Sequence, residues 1–245
     1  MGKERLQYLD IAKGMAIICV IIGHMRIKPI NQFVYTFHMP LFIFISGYTL
    51  SLADTKVFLK KKSKALLIPY AFTCAATLLV EIVVNLISVI HAREGISVLN
   101  GVFCKIRDRV LASVFGMGGY NNRLFGWEYE FSNTGVIWFL LALFSGLCLA
   151  NCFLKLKYGF MLVCVVAYLG YYIQKSVSLP WFLLSAMTFS LFIFIGYKEK
   201  EKKSFESPPS LINLLMCMGI WAFSYFTRDF SRFQGTSSQK ECWMF

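Results

Sequence analysis

The stretch "YLDIAKGMAIICVIIGH", Tyr8 to His24, decides how the chain is read. It begins with two charged residues, Asp10 and Lys13, runs apolar from Met15 to Gly23, and stops at a histidine. What a histidine does in such a place depends on its solvent. Inside lipid, an ionisable side chain faces a protein interior or a wet cavity and marks function. The composition of the whole chain identifies the solvent.

That solvent is lipid. Of 245 residues, 57% are apolar and only 16% charged, where a soluble domain carries about a quarter charged. Mean hydropathy is +0.60. The 24 Phe and 12 Tyr exceed what one compact soluble core needs. The net charge of +12 raises nucleic acid as a partner, but the lysines and arginines stand between apolar runs, as in cytoplasmic loops of membrane proteins. No nucleic-acid partner is expected. The eight cysteines are scattered through apolar runs without a CxxC, so they read as small apolar residues. Neither a metal site nor a disulfide framework is expected.

Apolar runs at 8–26, 33–52, 66–90, 134–153, 159–174, 180–197 and 211–227 predict about seven spans. Each approaches the ~20 residues that cross ~30 Å of hydrocarbon. Backbone groups in lipid pair within their own segment, so the spans are helices. The expected fold is all-α: a polytopic transmembrane helix bundle forming one domain over 1–230, with a polar tail at 231–245. The basic N-terminus followed by an apolar run resembles a signal peptide. Arg26, Lys28 and Pro29 follow in place of small residues, which predicts an uncleaved first span.

The basic segments set the orientation. Lys3 and Arg5, "KVFLKKKSK" (56–64), Lys155 with Lys157, and "KEKEKK" (198–203) all fall on one side when the N-terminus is cytoplasmic. The longest opposite connection, 91–133, is nearly balanced in charge. Within it, "GMGGYNNRLFGWEYE" reads as a loop rich in turns and aromatics.

Several polar residues need a purpose. With hydrocarbon beginning near Gly14, His24 lies about 15 Å deep, near the bilayer midplane. The bland alternative is a structural histidine at the outer interface. His38 opens the next run, "FHMPLFIFISGY", and a two-span hairpin brings it to the same half as His24. Asp10 and Lys13 share a helix face at i, i+3, either as an interfacial ion pair or as part of a basic mouth with the lysine run 60–64. That mouth suits a phosphorylated ligand from the cytosol. Glu81, in the third span, is either a buried hydrogen-bonded carboxyl or a cavity wall.

These motifs resemble the acyltransferase-3 superfamily of integral membrane acyltransferases, especially members similar to fucose 4-O-acetylase. "YLDIAKGMAIICVIIGH" matches the first-helix pattern, with a basic residue eleven positions before the histidine, here Lys13 and His24. "FHMPLFIFISGY" matches the second-helix motif. "KKKSKALLIPY" matches the basic approach to the third helix, with lysines where many relatives use arginine. "VIWFLLALF" and "FSLFIFIGYKEK" resemble later segments. Relatives are usually longer, which makes this a short or truncated member.

The resemblance implies acetyl transfer from acetyl-CoA to a sugar hydroxyl of a cell-surface polysaccharide or its precursor, in the plasma (inner) membrane of a bacterium. The residue chemistry agrees. A sugar hydroxyl is a poor nucleophile, and a base at hydrogen-bond distance contributes on the order of a hundred- to ten-thousand-fold. His24 is the expected base, and burial among apolar side chains favours its neutral, proton-accepting form. His38 orients it, shares the proton or binds the acceptor. Lys13, Lys61 and Lys64 meet the CoA phosphates, and Asp10 holds a cation in place. Ser46, Tyr48 or a backbone N–H donates to the oxyanion. Trp127, Glu128 and Tyr129 are candidates to hold a carbohydrate acceptor. The competing function is a non-enzymatic membrane protein: a transporter, a glycan-export subunit or an inactive relative. The absence of inverted repeats weighs against the transporter.

Overall fold

The computed structural model describes residues 7–23, 25, 34, 37–92, 96–118, 122–124, 127–129, 134–174, 176–177 and 179–202. The expected all-α class holds. Seven α-helices occur among the described residues: α1 Gln7–Gly23, α2 His38–Tyr48, α3 Thr55–Ala92, α4 Ile96–Phe115, α5 Trp138–Phe153, α6 Gly159–Ile173 and α7 Leu183–Glu201. Three-residue 3-10 turns, Gly135–Ile137 and Pro180–Phe182, lead into α5 and α7. Strands β1 Asn122–Leu124 and β2 Trp127–Tyr129 form a small antiparallel hairpin with Leu124 opposite Trp127. The expected seventh span, 211–227, lies outside the described residues.

Among the described residues, three stretches are long and apolar enough to cross a membrane: Thr55–Val89, Gly135–Phe153 and Pro180–Glu201. Gly159–Ile173 is apolar but shorter. Two expectations change. The basic run 56–64 is not a loop but the first part of α3, which continues for 38 residues, about 57 Å at 1.5 Å per residue. Lysine is a good helix former, so nothing in that run stops the helix. Pro69 sits inside it. Nor is 91–133 only a loop, because Ile96–Phe115 is helical.

The chain divides into two compact units. One comprises Met1–Leu50 with Ile195–Phe245, the other Ser51–Phe194.

In the first unit α1 lies antiparallel on α2. Leu9 packs with Ile45 and Tyr48, and Ala12 and Leu41 close the contact. Leu9, Ala12 and Ala16 recur at helical spacing, and Ala16 is buried. Small residues on that stripe allow close approach. Ile11, Met15 and Ile18 occupy the other face and are exposed, as a lipid-facing stripe requires. The α7 end also packs on α2. A side chain at Gly196 would collide with the Phe44 carbonyl, so glycine alone permits this backbone approach.

In the second unit Leu141 of α5 is buried against Tyr70 and Cys74 of α3, with Leu67, Ile137 and Leu140 around it. Lys155, just beyond α5, donates to the Ala53 carbonyl at 2.7 Å, so α5 runs antiparallel to the first half of α3. Gly146 faces Ala186, Phe189 and Ile193 of α7. Gly170 faces Leu184 and Met187. Glycines on α5 and α6 thus seat both helices against α7. Before α7, Trp181 and Phe182 take left-handed backbone at φ 59° and 51°, which costs non-glycine residues on the order of 1–3 kcal/mol each. Trp181 Nε1 donates to the Val114 carbonyl at 3.0 Å, and Phe182 stacks on Trp138 with ring centroids 4.4 Å apart.

Candidate functional site

The α1–α2 pair carries the polar residues singled out from sequence. Because the helices are antiparallel, the start of α1 lies beside the end of α2. Lys13 is half-buried and Asp10 exposed. Both therefore belong to the end marked by Tyr48, the end that the basic segments predict to be cytoplasmic. His38 begins α2 and so lies ten residues from Tyr48, about 15 Å away along the helix. His24 follows α1 and lies outside the described residues.

His38 is 3% exposed. Its Nδ1 lies 2.8 Å from the Val34 carbonyl, one turn earlier. A carbonyl oxygen has no proton to give, so Nδ1 carries the hydrogen. In the neutral ring Nε2 is then the basic nitrogen. Pro40 stands in the first turn of α2, where its missing N–H costs nothing.

The oxyanion candidates fare differently. Ser46 donates to the Phe42 carbonyl of its own helix at 2.8 Å, so its single proton is engaged. Tyr48 is buried in the α1 contact, at the opposite end of α2 from His38. Neither side chain lies beside His38.

Lys61 and Lys64 are exposed on the first part of α3, in the second unit. Glu81 is a part-buried, hydrogen-bonded carboxyl, in line with one of its two readings from the sequence. Arg109 of α4 donates from Nε to its carboxylate at 2.6 Å, and the two side chains are about a fifth exposed, at 23% and 21%. They stand 28 positions apart in the sequence, and no local spacing signals the pair. Tyr70 adds a second bond between the same helices, donating to the Ser113 carbonyl at 2.7 Å. Trp127, Glu128 and Tyr129 form β2, but their side chains lie outside the described residues. Among the described residues no three His, Cys, Asp or Glu side chains gather as metal ligands.

Sequence reasoning also passed over Lys200. Its Nζ donates to the Leu50 carbonyl, just past the end of α2, at 2.6 Å. The signal was "GYKEK", in which Gly196 allows α7 to lie on α2 one turn before Lys200.

Long apolar helices with an ionisable residue buried at a helix start define an integral membrane protein with a polar site. The family model described as an acyltransferase domain matches residues 6–239, and the chain belongs to this acyltransferase-3 family of membrane acyltransferases. No curated protein and no solved structure matches it.

Proposed function

We propose that the protein moves an acetyl group from acetyl-CoA to a sugar hydroxyl of a cell-surface polysaccharide or its precursor, at the bacterial plasma membrane. One observation carries the reading: His38, buried at the start of α2, is held by the Val34 carbonyl with its basic nitrogen defined. A structural histidine needs only a satisfied ring. A histidine fixed in one tautomer beside the membrane motif of an acyltransferase is prepared for proton transfer.

In this mechanism His24 accepts the proton of the sugar hydroxyl. The oxygen attacks the thioester carbonyl, and backbone N–H groups stabilise the tetrahedral oxyanion. Collapse breaks the C–S bond and releases CoA thiolate. The proton on histidine passes to that sulfur, which restores the neutral base. His38 orients the base, shares the proton or binds the acceptor. Lys13, Lys61 and Lys64 supply positive charge for the CoA phosphates, and Asp10 holds Lys13 or another cation in place. Lysine grips phosphate as a point charge rather than a bidentate fork, so several lysines act together.

The test is transfer of radiolabelled acetyl from acetyl-CoA to glycan in membranes containing the protein, compared with a His24→Ala variant inserted at the same level. Transfer is expected with the native chain and lost in the variant. Undiminished transfer by the variant would refute the role of His24. No transfer by the native chain to any exported glycan would refute the function.

A further inference from the structure

We infer that Lys56, Lys60 and Lys64, a basic ridge along the first part of α3, bind the phosphates of anionic phospholipid headgroups.

The ridge continues into a lipid-facing surface of the same helix. Lys56, Lys60 and Lys64 recur every fourth residue, and the series goes on as Ile68 and Phe72. Residues four apart are neighbours on a helix surface. All five are exposed, Ile68 at 59% and Phe72 at 75%. Further along, Leu79, Val83 and Ile87 are exposed as well. Exposed apolar surface on this scale marks contact with a membrane. From Ile68 to Ile87 the helix rises about 28 Å at 1.5 Å per residue, close to the ~30 Å of hydrocarbon. Lys64 stands one turn outside that stretch.

The neighbouring helix holds the ridge at the membrane. Lys155, just beyond α5, donates to the Ala53 carbonyl, and Leu141 near the other end of α5 packs on Tyr70 and Cys74. Residues 53–74 therefore lie alongside a membrane-crossing helix and do not project freely into water. The end of α5 beside Ala53 and the start of the apolar stretch at Ile68 bracket the headgroup layer. Lys56, Lys60 and Lys64 fall between the two. Their apolar stems can lie along the hydrocarbon edge while the ammonium groups reach the phosphates.

The charge on this ridge is not neutralised within the helix. From Thr55 to Val80 α3 carries five lysines and no acidic residue. Lys62 turns to the ring of buried Phe58, 5.7 Å from its centroid. Among the described residues, Lys56, Lys60 and Lys64 have neither a hydrogen bond nor an ion pair. The basic end of α7 differs, since Lys198 pairs with Glu201 at 2.7 Å and Lys202 with Glu199 at 3.2 Å. Lysines that only set orientation serve equally well when paired in that way. An unpaired ridge facing lipid has anionic headgroups as its natural counter-charge.

Lys64 is also a candidate for the acyl donor, so the test falls on Lys56 and Lys60, which have no part in the transfer proposed above. The purified full-length protein in mild detergent is titrated with phosphatidylglycerol, and separately with phosphatidylcholine of the same chains. Bound lipids are counted by native mass spectrometry. Phosphatidylglycerol is expected to bind the native protein more tightly than phosphatidylcholine. Lys56→Gln with Lys60→Gln should weaken phosphatidylglycerol roughly fivefold for each lysine removed, and leave phosphatidylcholine unchanged. The same pair changed to arginine should bind as native. So should Lys105→Gln, an exposed lysine of α4. Inorganic pyrophosphate should not displace the lipid.

Equal binding of the two lipids by the native protein would overturn the inference without any variant. Native phosphatidylglycerol affinity in the double glutamine variant would overturn it as well, as would an equal loss in Lys105→Gln. Displacement by pyrophosphate would assign the ridge to a soluble phosphate and overturn it too.

Discussion

The Val34 carbonyl takes the Nδ1 proton of His38 at 2.8 Å, inside a nearly closed environment. The turn before α2 thus chooses which face of the imidazole is basic. That choice is made by a backbone carbonyl rather than by a side chain.

Two substitutions at this position separate anchoring from chemistry. Asparagine places an N–H near where Nδ1 stood, and glutamine places its amide near Nε2. His38→Asn is expected to retain the melting temperature in detergent while transfer falls about a hundredfold, as for loss of a proton-handling group. His38→Gln loses the anchor and should melt earlier. Native transfer rates in a well-folded His38→Asn protein would reduce His38 to a structural role.

Gly196 is the contact that brings α7 onto α2. Replacing it by leucine forces the helices apart, at a cost of about 1–3 kcal/mol for an overpacked site. Gly14 in the same unit has nothing among the described residues within 4 Å of its would-be side chain. Thermal unfolding should therefore move down for Gly196→Leu and hardly at all for Gly14→Leu. Equal behaviour of the two would mean that α7 does not rest on α2.

Asn151 of α5 is 1% exposed, and among the described residues both polar atoms of its side chain lack a hydrogen-bond partner. Each such group carries a desolvation penalty of about 1–3 kcal/mol. Leucine has nearly the same shape without that penalty. Asn151→Leu should raise the unfolding temperature in detergent, an unusual direction for a core substitution. A clear drop would show that the amide is satisfied in the membrane.

Glu81 and Arg109 tie α3 to α4 at 2.6 Å. Removing one partner leaves the other charge half-buried, so each alanine variant should be destabilised. The double variant should lose less than the sum, with a coupling of about 1 kcal/mol. Strict additivity across this cycle would mean that the two charges act independently.

Much of this was legible along the chain. The apolar runs predicted helices, and the Lys13–His24 and "FHMPLFIFISGY" motifs pointed to the family. What the chain hid was of two kinds. In α4 the apolar positions Val102, Ile106 and Val110 recur every four residues, yet Lys105, Arg107, Asp108 and Arg109 among them read as a solvated connection. Lipid hydropathy weighs total greasiness, so an amphipathic helix beside a longer one escapes it. The bonds from Lys200 to Leu50 and from Arg109 to Glu81 depend on which helices meet, and spacing along one helix carries no trace of a neighbour.

The proline in α3 carries a mechanical consequence. A ring at position 69 has no N–H for the Ala65 carbonyl and crowds it as well. The rod from Thr55 to Ala92 therefore has one built-in weak point, with the lysines on one arm and Glu81 on the other. Any bending of this rod concentrates at that joint, so its two arms stay straight while the angle between them changes.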